Sequence, residues 1–118
     1  LSGVVGSLAW SNGRLVSQVY FDSPAAHLNK ARFEKLREQQ AAFDRALGGT
    51  ATWDEMAGRK GARIVLQSIY DDVTDTTQWP DMASWVIKTQ ADFRRALAAV
   101  GGIEKLRLVA SDLSTRVD

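Results

Sequence analysis

The chain contains no cysteine, a single histidine and only two prolines. Without cysteine there are no disulfides, no thiolate nucleophiles and no cysteine-ligated zinc sites. One imidazole, His27, leaves little room for histidine-rich metal sites or histidine-based acid–base machinery. No apolar run approaches the roughly 18 residues that a membrane-spanning helix needs. The opening Leu1-Ser2-Gly3-Val4-Val5-Gly6 lacks the basic flank of a signal peptide. Excess charge is also missing: 15 Lys and Arg face 14 Asp and Glu, a formal net charge of +1. No whole-molecule field therefore draws the chain to nucleic acid or a membrane. Neither a G-x-G-x-x-G nor a P-loop spacing occurs. What remains is a chain of 118 residues, 45% hydrophobic and 25% charged. That is one small domain of ordinary globular composition, able to bury roughly two-thirds of its unfolded surface. These absences remove much of the catalytic repertoire, and what survives names no reaction.

Punctuation divides the chain into two similar halves. Asn12-Gly13 separates two strand-like runs, and Gly58-Arg59-Lys60-Gly61 separates two more. Gly48-Gly49 and Gly101-Gly102 each follow a long helical pattern. In the first hairpin Val4, Gly6, Leu8 and Trp10 alternate before Asn-Gly, which suits a type I′ turn. The strand after it has apolar residues on both faces, Leu15, Val19 and Phe21 on one and Val16 and Tyr20 on the other, as a central strand does. The second hairpin pairs the run from Thr52 to Met56 with the run from Arg63 to Tyr70.

Phe33, Leu36, Gln40, Phe43 and Leu47 predict one helix from about Asn29 to Leu47, capped by Asn29 and closed by Gly48 or Gly49. Met82, Trp85, Val86, Thr89, Phe93, Leu97 and Val100 predict a second helix from about Pro80 to Val100, with proline in its first turn. The segment 103–118 reads as a C-terminal extension. Ile103, Leu106, Ala110 and Leu113 fit a short helix, and Lys105 to Val109 fit a strand; helix is the preferred reading. The expected fold is α+β, a ββαββα two-layer sandwich. It has a four-stranded antiparallel sheet and two long helices on one face, in a single domain over residues 1–102.

The order of pieces from Asn29-Lys30 through Phe33, Leu36, Phe43, Trp53-Asp54-Glu55-Met56, Lys60-x-x-Arg63-Ile64, Asp75-Thr76-Thr77-Gln78-Trp79 and Trp85 to Phe93-Arg94-Arg95-Ala96-Leu97 is distinctive. It resembles a bacterial and archaeal domain of unknown function, family four-two-six-eight of that series, over about Leu8 to Val100. The linker Ala25-Ala26-His27-Leu28 and the tail after Gly102 take no part in the likeness. The resemblance implies an accessory domain at the C-terminal end of larger proteins whose N-terminal region looks like a restriction endonuclease, in mobile or defence-associated settings. It implies no established reaction and no catalytic residues. The chain does not begin with methionine, in keeping with a domain of a longer protein; the default address is cytoplasmic.

Five residues stand out as candidates for contact with nucleic acid or a partner. Arg14, Arg59, Lys60 and Arg63 lie at or just after the two hairpin turns. If both turns lie at one end of the sheet, these cations form a small basic rim fit for phosphates. The alternative is ordinary turn charge, with Arg63 paired to a carboxylate such as Glu55 across the hairpin. Trp53, near the second turn, is the one tryptophan left open as a stacking platform. Trp10 and Trp85 read as core, and Trp79 as a staple between a helix start and the sheet.

Residues 71–92 carry five carboxylates and one cation, a net −4 set against +5 over the remainder. Asp71, Asp72 and Asp75 read as turn and cap chemistry rather than a metal site, since no EF-hand spacing is present. Glu55 and Lys60 lack the spacing of a restriction-type nuclease centre. Asp22, Ser23 and His27 are neighbours in sequence, which does not assemble a triad. The charged face around Lys30, Arg32, Glu34, Lys35, Arg37, Glu38, Asp44 and Arg45 reads as a solvated helix surface. The expectation is a non-catalytic accessory or interaction domain without cofactor. Its partners would be other domains of a parent protein or a second copy, and a nucleic-acid-binding module is the alternative.

Overall fold

A computed structural model describes the backbone of residues 1–116 and the side chains of residues 1–111. Strands β1 (Val4–Ser11) and β2 (Arg14–Phe21) form the first hairpin. Asn12 and Gly13 both take positive φ, at 53° and 75°, as the tight turn requires. Two helices follow, α1 (Ala26–Arg37) and α2 (Gln40–Leu47). Strands β3 (Thr52–Asp54) and β4 (Ala62–Gln67) then make the second hairpin. A 3₁₀ turn at Thr76–Gln78 leads into α3 (Trp79–Ala99), and α4 (Gly102–Arg116) ends the chain. The sheet is wholly antiparallel, in the order β1-β2-β4-β3. The fold is α+β, as the periodicity predicted.

Alternation along the strands sends Val19, Phe21, Ala62 and Ile64 toward the helices. There they join Phe33, Leu36, Phe43, Leu47, Phe93 and Leu97 in one cluster. Leu106 of α4 is fully buried in the same cluster, so the segment after Gly102 is helical and contributes to the core. Leu113, part of the pattern that predicted this helix, lies outside the described side chains. No described helix is long and apolar enough to cross a membrane.

One helix was expected over Asn29–Leu47; two are present. The helical path ends at Arg37, Gln39 leaves helical geometry at φ −109° and ψ 23°, and α2 restarts from it. The break lets α1 lie against α4 and the sheet while α2 turns its Phe43 and Leu47 face onto α3. A straight helix would need Gln40 in the core, and Gln40 is exposed. Asn29 is not the cap either. The cap position is Ala25, and the buried Asn29 carboxamide lies inside α1. It accepts from the Ser23 N–H at 2.8 Å and donates to the carbonyls of Ser23 and Lys60. Lys30 beside it donates through Nζ to the carbonyls of Glu55, Met56 and Gly61. The β3–β4 loop is thus suspended from the first turn of α1.

Two polar side chains stitch the sheet. Gln90 of α3 donates through Nε2 to the Ser7 and Gln18 carbonyls, each at 3.1 Å, and to Ser17 Oγ at 2.9 Å. Its carboxamide occupies the space beneath Gly6: a Cβ there would fall 2.0 Å from Gln90 Oε1. On the opposite face Arg63 reaches Asp54 on β3, Gln18 on β2 and Ser11 on β1. One guanidinium touching three strands requires a strongly coiled sheet, and Val16, Gln18 and Val65 are buried on that coiled face.

Candidate partner-binding groove

The register decides the fate of the expected basic rim. Phe21 pairs with Ala62 and Val16 with Gln67, so β4 runs antiparallel to β2. The Asn12-Gly13 turn and the 55–61 loop consequently sit at opposite ends of the sheet. Arg14 stands at one end, where its Nη1 donates to the Ser68 carbonyl. Arg59 and Lys60 are exposed at the other. Arg63 lies near them, and with Asp54, Met56, Ala57 and Arg59 it borders a depression of about 330 Å³. Its charge is matched by Asp54, 3.0 Å from Nε. The partner is therefore Asp54, directly opposite in register, and not Glu55.

The tryptophans also trade places. Trp53 is half-buried, its ring 5.1 Å from Phe43 and 5.9 Å from Phe33. The indole N–H donates to Asp44 Oδ1 at 3.2 Å. Held edge-on to one ring, tilted to the other and hydrogen-bonded, it closes the core rather than offering a stacking face. Trp85 is half-buried. Trp10, expected in the core, is 40% exposed, and Trp79 is 52% exposed. Trp79 staples the start of α3 to the preceding loop, its indole N–H donating to the Val73 carbonyl at 2.8 Å.

Trp10 and Trp79 both line a groove of about 400 Å³ between the end of the first hairpin and the N-terminal half of α3. Leu8, Trp10 and Leu15 form the sheet wall, Met82, Ala83, Val86 and Ile87 the helix wall, and Val73 with Trp79 the end. Every lining side chain is apolar or aromatic; the polar N–H groups among them are the indoles of Trp10 and Trp79, and that of Trp79 is already hydrogen-bonded. The lining residues include no carboxylate, imidazole or hydroxyl, so they offer no ligand set for a hard metal and little to hold a polar cofactor. Their main resource is apolar burial. Exposure rises from 4% at Leu15 on β2 to 56% at Leu8 on β1, and reaches 70% at Ile87 on α3. The groove therefore opens along the outer edge of β1.

Carboxylates flank its Val73–Trp79 end in sequence. Asp71, Asp72 and Asp75 lie in the loop that carries Val73, and Asp81 precedes Met82. None of the four forms an ion pair among the described residues. Asp72 accepts from the Thr74 hydroxyl and N–H, which hold its carboxyl below the ordinary range and keep it ionised. Asp75 accepts from the Thr77 N–H and hydroxyl and opens the turn that aims Trp79 and Pro80 into α3. The same residues that shape the groove's end thus supply its negative rim.

Sequence reasoning passed over this site because each strand and helix was read for its core face. The available signal was apolar surplus: Leu8, Val73 and Ile87 are large side chains for which the core has no use.

These features define a small α+β sandwich with one open apolar groove beside an unpaired strand edge. The chain belongs to the DUF4268 family, a domain of unknown function, whose profile matches residues 1–100. No curated protein and no solved structure matches the chain.

Proposed function

We propose that this domain is a non-catalytic interaction module that docks a segment of another polypeptide in the groove between the β1–β2 hairpin and α3. The observation that carries this reading is the groove's wall, a contiguous apolar surface holding two half-exposed tryptophans. Contiguous exposed apolar patches mark interaction sites, and tryptophan is the residue most enriched where binding energy concentrates. The acidic rim narrows the occupant. It repels phosphate, so nucleic acid does not fit here, and it opposes a second copy stacked groove to groove, which would bring two rims together. A polypeptide with apolar anchors meets neither obstacle. In this reading chemistry resides in a companion domain or partner, such as the nuclease-like region that the family resemblance implies, and this unit positions it.

Selection of random displayed peptides on the immobilised domain tests the proposal, with Ile87→Glu as the comparison surface. Ile87 is exposed, so the substitution leaves the fold intact, as a thermal melt will verify. Enriched peptides should carry apolar anchors and lose at least about tenfold in affinity, some 1.4 kcal/mol, on the variant. Peptides that bind both proteins equally would overturn the proposal. Binding of a labelled single-stranded oligonucleotide that weakens steeply with salt and vanishes in Arg59→Glu, Lys60→Glu would instead establish the nucleic-acid alternative.

A further inference from the structure

Resting on the groove reading, we infer that the docked segment binds as an extended strand along the free edge of β1, with basic residues at the end that meets the acidic rim. The argument begins with β1 itself. It runs for eight residues at the border of the sheet, with β2 as its single neighbour. None of its residues is charged and none is proline. Sheet borders are ordinarily protected by charge, proline, bulges or brevity, because unpaired N–H and C=O groups invite another strand. β1 has none of these protections, and its backbone offers a hydrogen-bonding row along the very side on which the groove opens.

The side chains agree with the backbone. Leu8 and Trp10 face the helices, and exposed Ile87 of α3 lines the groove with them. A fifth strand beside β1 would send its alternate residues to the same face as Leu8 and Trp10, the face on which the groove lies. Strand addition has this division of labour: backbone bonds supply affinity, and pockets for every second side chain supply selectivity. A helix laid in the groove would leave the β1 backbone row unpaired.

Charge sets the ends. Asp71, Asp72 and Asp75 flank Val73, and Asp81 lies between Trp79 and Met82, so the carboxylates gather at the Val73–Trp79 end of the groove, without ion-pair partners among the described residues. The hairpin brings one cation, Arg14 opposite Ser11, to set against these four carboxylates, and a lysine or arginine at that end of the incoming strand adds the balancing charge. A second copy of this chain answers the site poorly. Antiparallel pairing of β1 with its own copy, centred on Ser7 or on Leu8, sets Gly6 opposite Leu8 or Trp10 and fills nothing. β1 also brings no cation to the rim.

The test uses an acetylated nine-residue peptide of alternating valine and threonine with two lysines at one end. Its controls are the same peptide with glutamates for lysines, versions N-methylated on alternate residues, and a helix-stapled peptide of matching anchors. Strand addition predicts slowed amide exchange within Val4–Ser11 on binding. Methylation of one alternate set should abolish binding and of the other should leave it within about twofold, because only one set faces β1. The glutamate peptide should bind at least about tenfold more weakly at low salt, and the gap should shrink as salt rises. Equal tolerance of both methylation patterns, or tight binding of the stapled helix, would overturn the strand mode while leaving the groove reading intact. Failure of every peptide to respond to Ile87→Glu would overturn the groove reading itself. A solution mass that doubles with concentration in the protein alone, and is lost on Leu8→Lys, would give the edge to a second copy and overturn the peptide occupant.

Discussion

The two borders of the sheet are built in opposite ways. The β3 border is three residues long and anchored by its side chains. Trp53 packs on Phe33 and Phe43 and bonds Asp44, Asp54 pairs with Arg63, and the following loop hangs from Lys30. The β1 border is eight residues long and uncharged, and the side chains that anchor it on the far face are two serines, Ser7 held by Gln18 and Ser11 by Arg63. The strand is also fixed from beneath, by the Gln90 carboxamide lodged under Gly6. Brevity, charge and aromatic packing are thus all available to this chain as edge protection, and all are deployed on one side. The bare border is a property of β1 specifically, and that contrast is what gives the groove beside it functional weight.

Three substitutions probe the contrast. Trp53→Ala removes the aromatic closure of the β3 border and opens space beside two buried phenylalanines; urea denaturation should register a loss of about 3 kcal/mol. Amide exchange should rise first within Thr52–Asp54, whereas equal loosening at β1 would mean that the two borders share one support. Gly6→Val drives a side chain into the Gln90 carboxamide, and the forced displacement should lower stability by about 2 kcal/mol. A melt unchanged by that variant would show that Gln90 does not hold β1. Leu8→Lys, at an exposed site on the same strand, should alter stability by no more than about 0.5 kcal/mol. A larger loss would reveal that Leu8 serves the fold and not a partner.

Much of this architecture was legible because it depends on local chemistry. Asn12-Gly13 announced a turn that needs two positive-φ positions in a row. The long stripe from Met82 to Val100 announced α3, and its Thr89, Phe93 and Leu97 are indeed buried. The break at Gln39 had no such signal, since neither glycine nor proline stands there; tertiary packing against α3 and α4 prevails over a continuous helical pattern. The site was harder still. Whether Arg14 meets Arg59 and Lys60 depends on the pairing direction of β2 and β4, a long-range choice that no local residue encodes. Parallel pairing would have gathered the cations, and antiparallel pairing disperses them. Trp10 and Trp53 exchange their expected roles for a related reason. Both alternate correctly along their strands, yet only β3 has a helix pair beneath it with aromatic rings to receive an indole.

The Gln90 carboxamide beneath Gly6 gives β1 a reading frame. A slip of two residues against β2, the smallest shift that keeps the same side chains toward the helices, would carry Val4 or Leu8 into a space where even a methyl group collides. That register keeps Leu8 and Trp10 on the side of the groove that Trp79 and Ile87 also line. Anything that pairs with this border is measured against a ruler whose marks are set by Gln90.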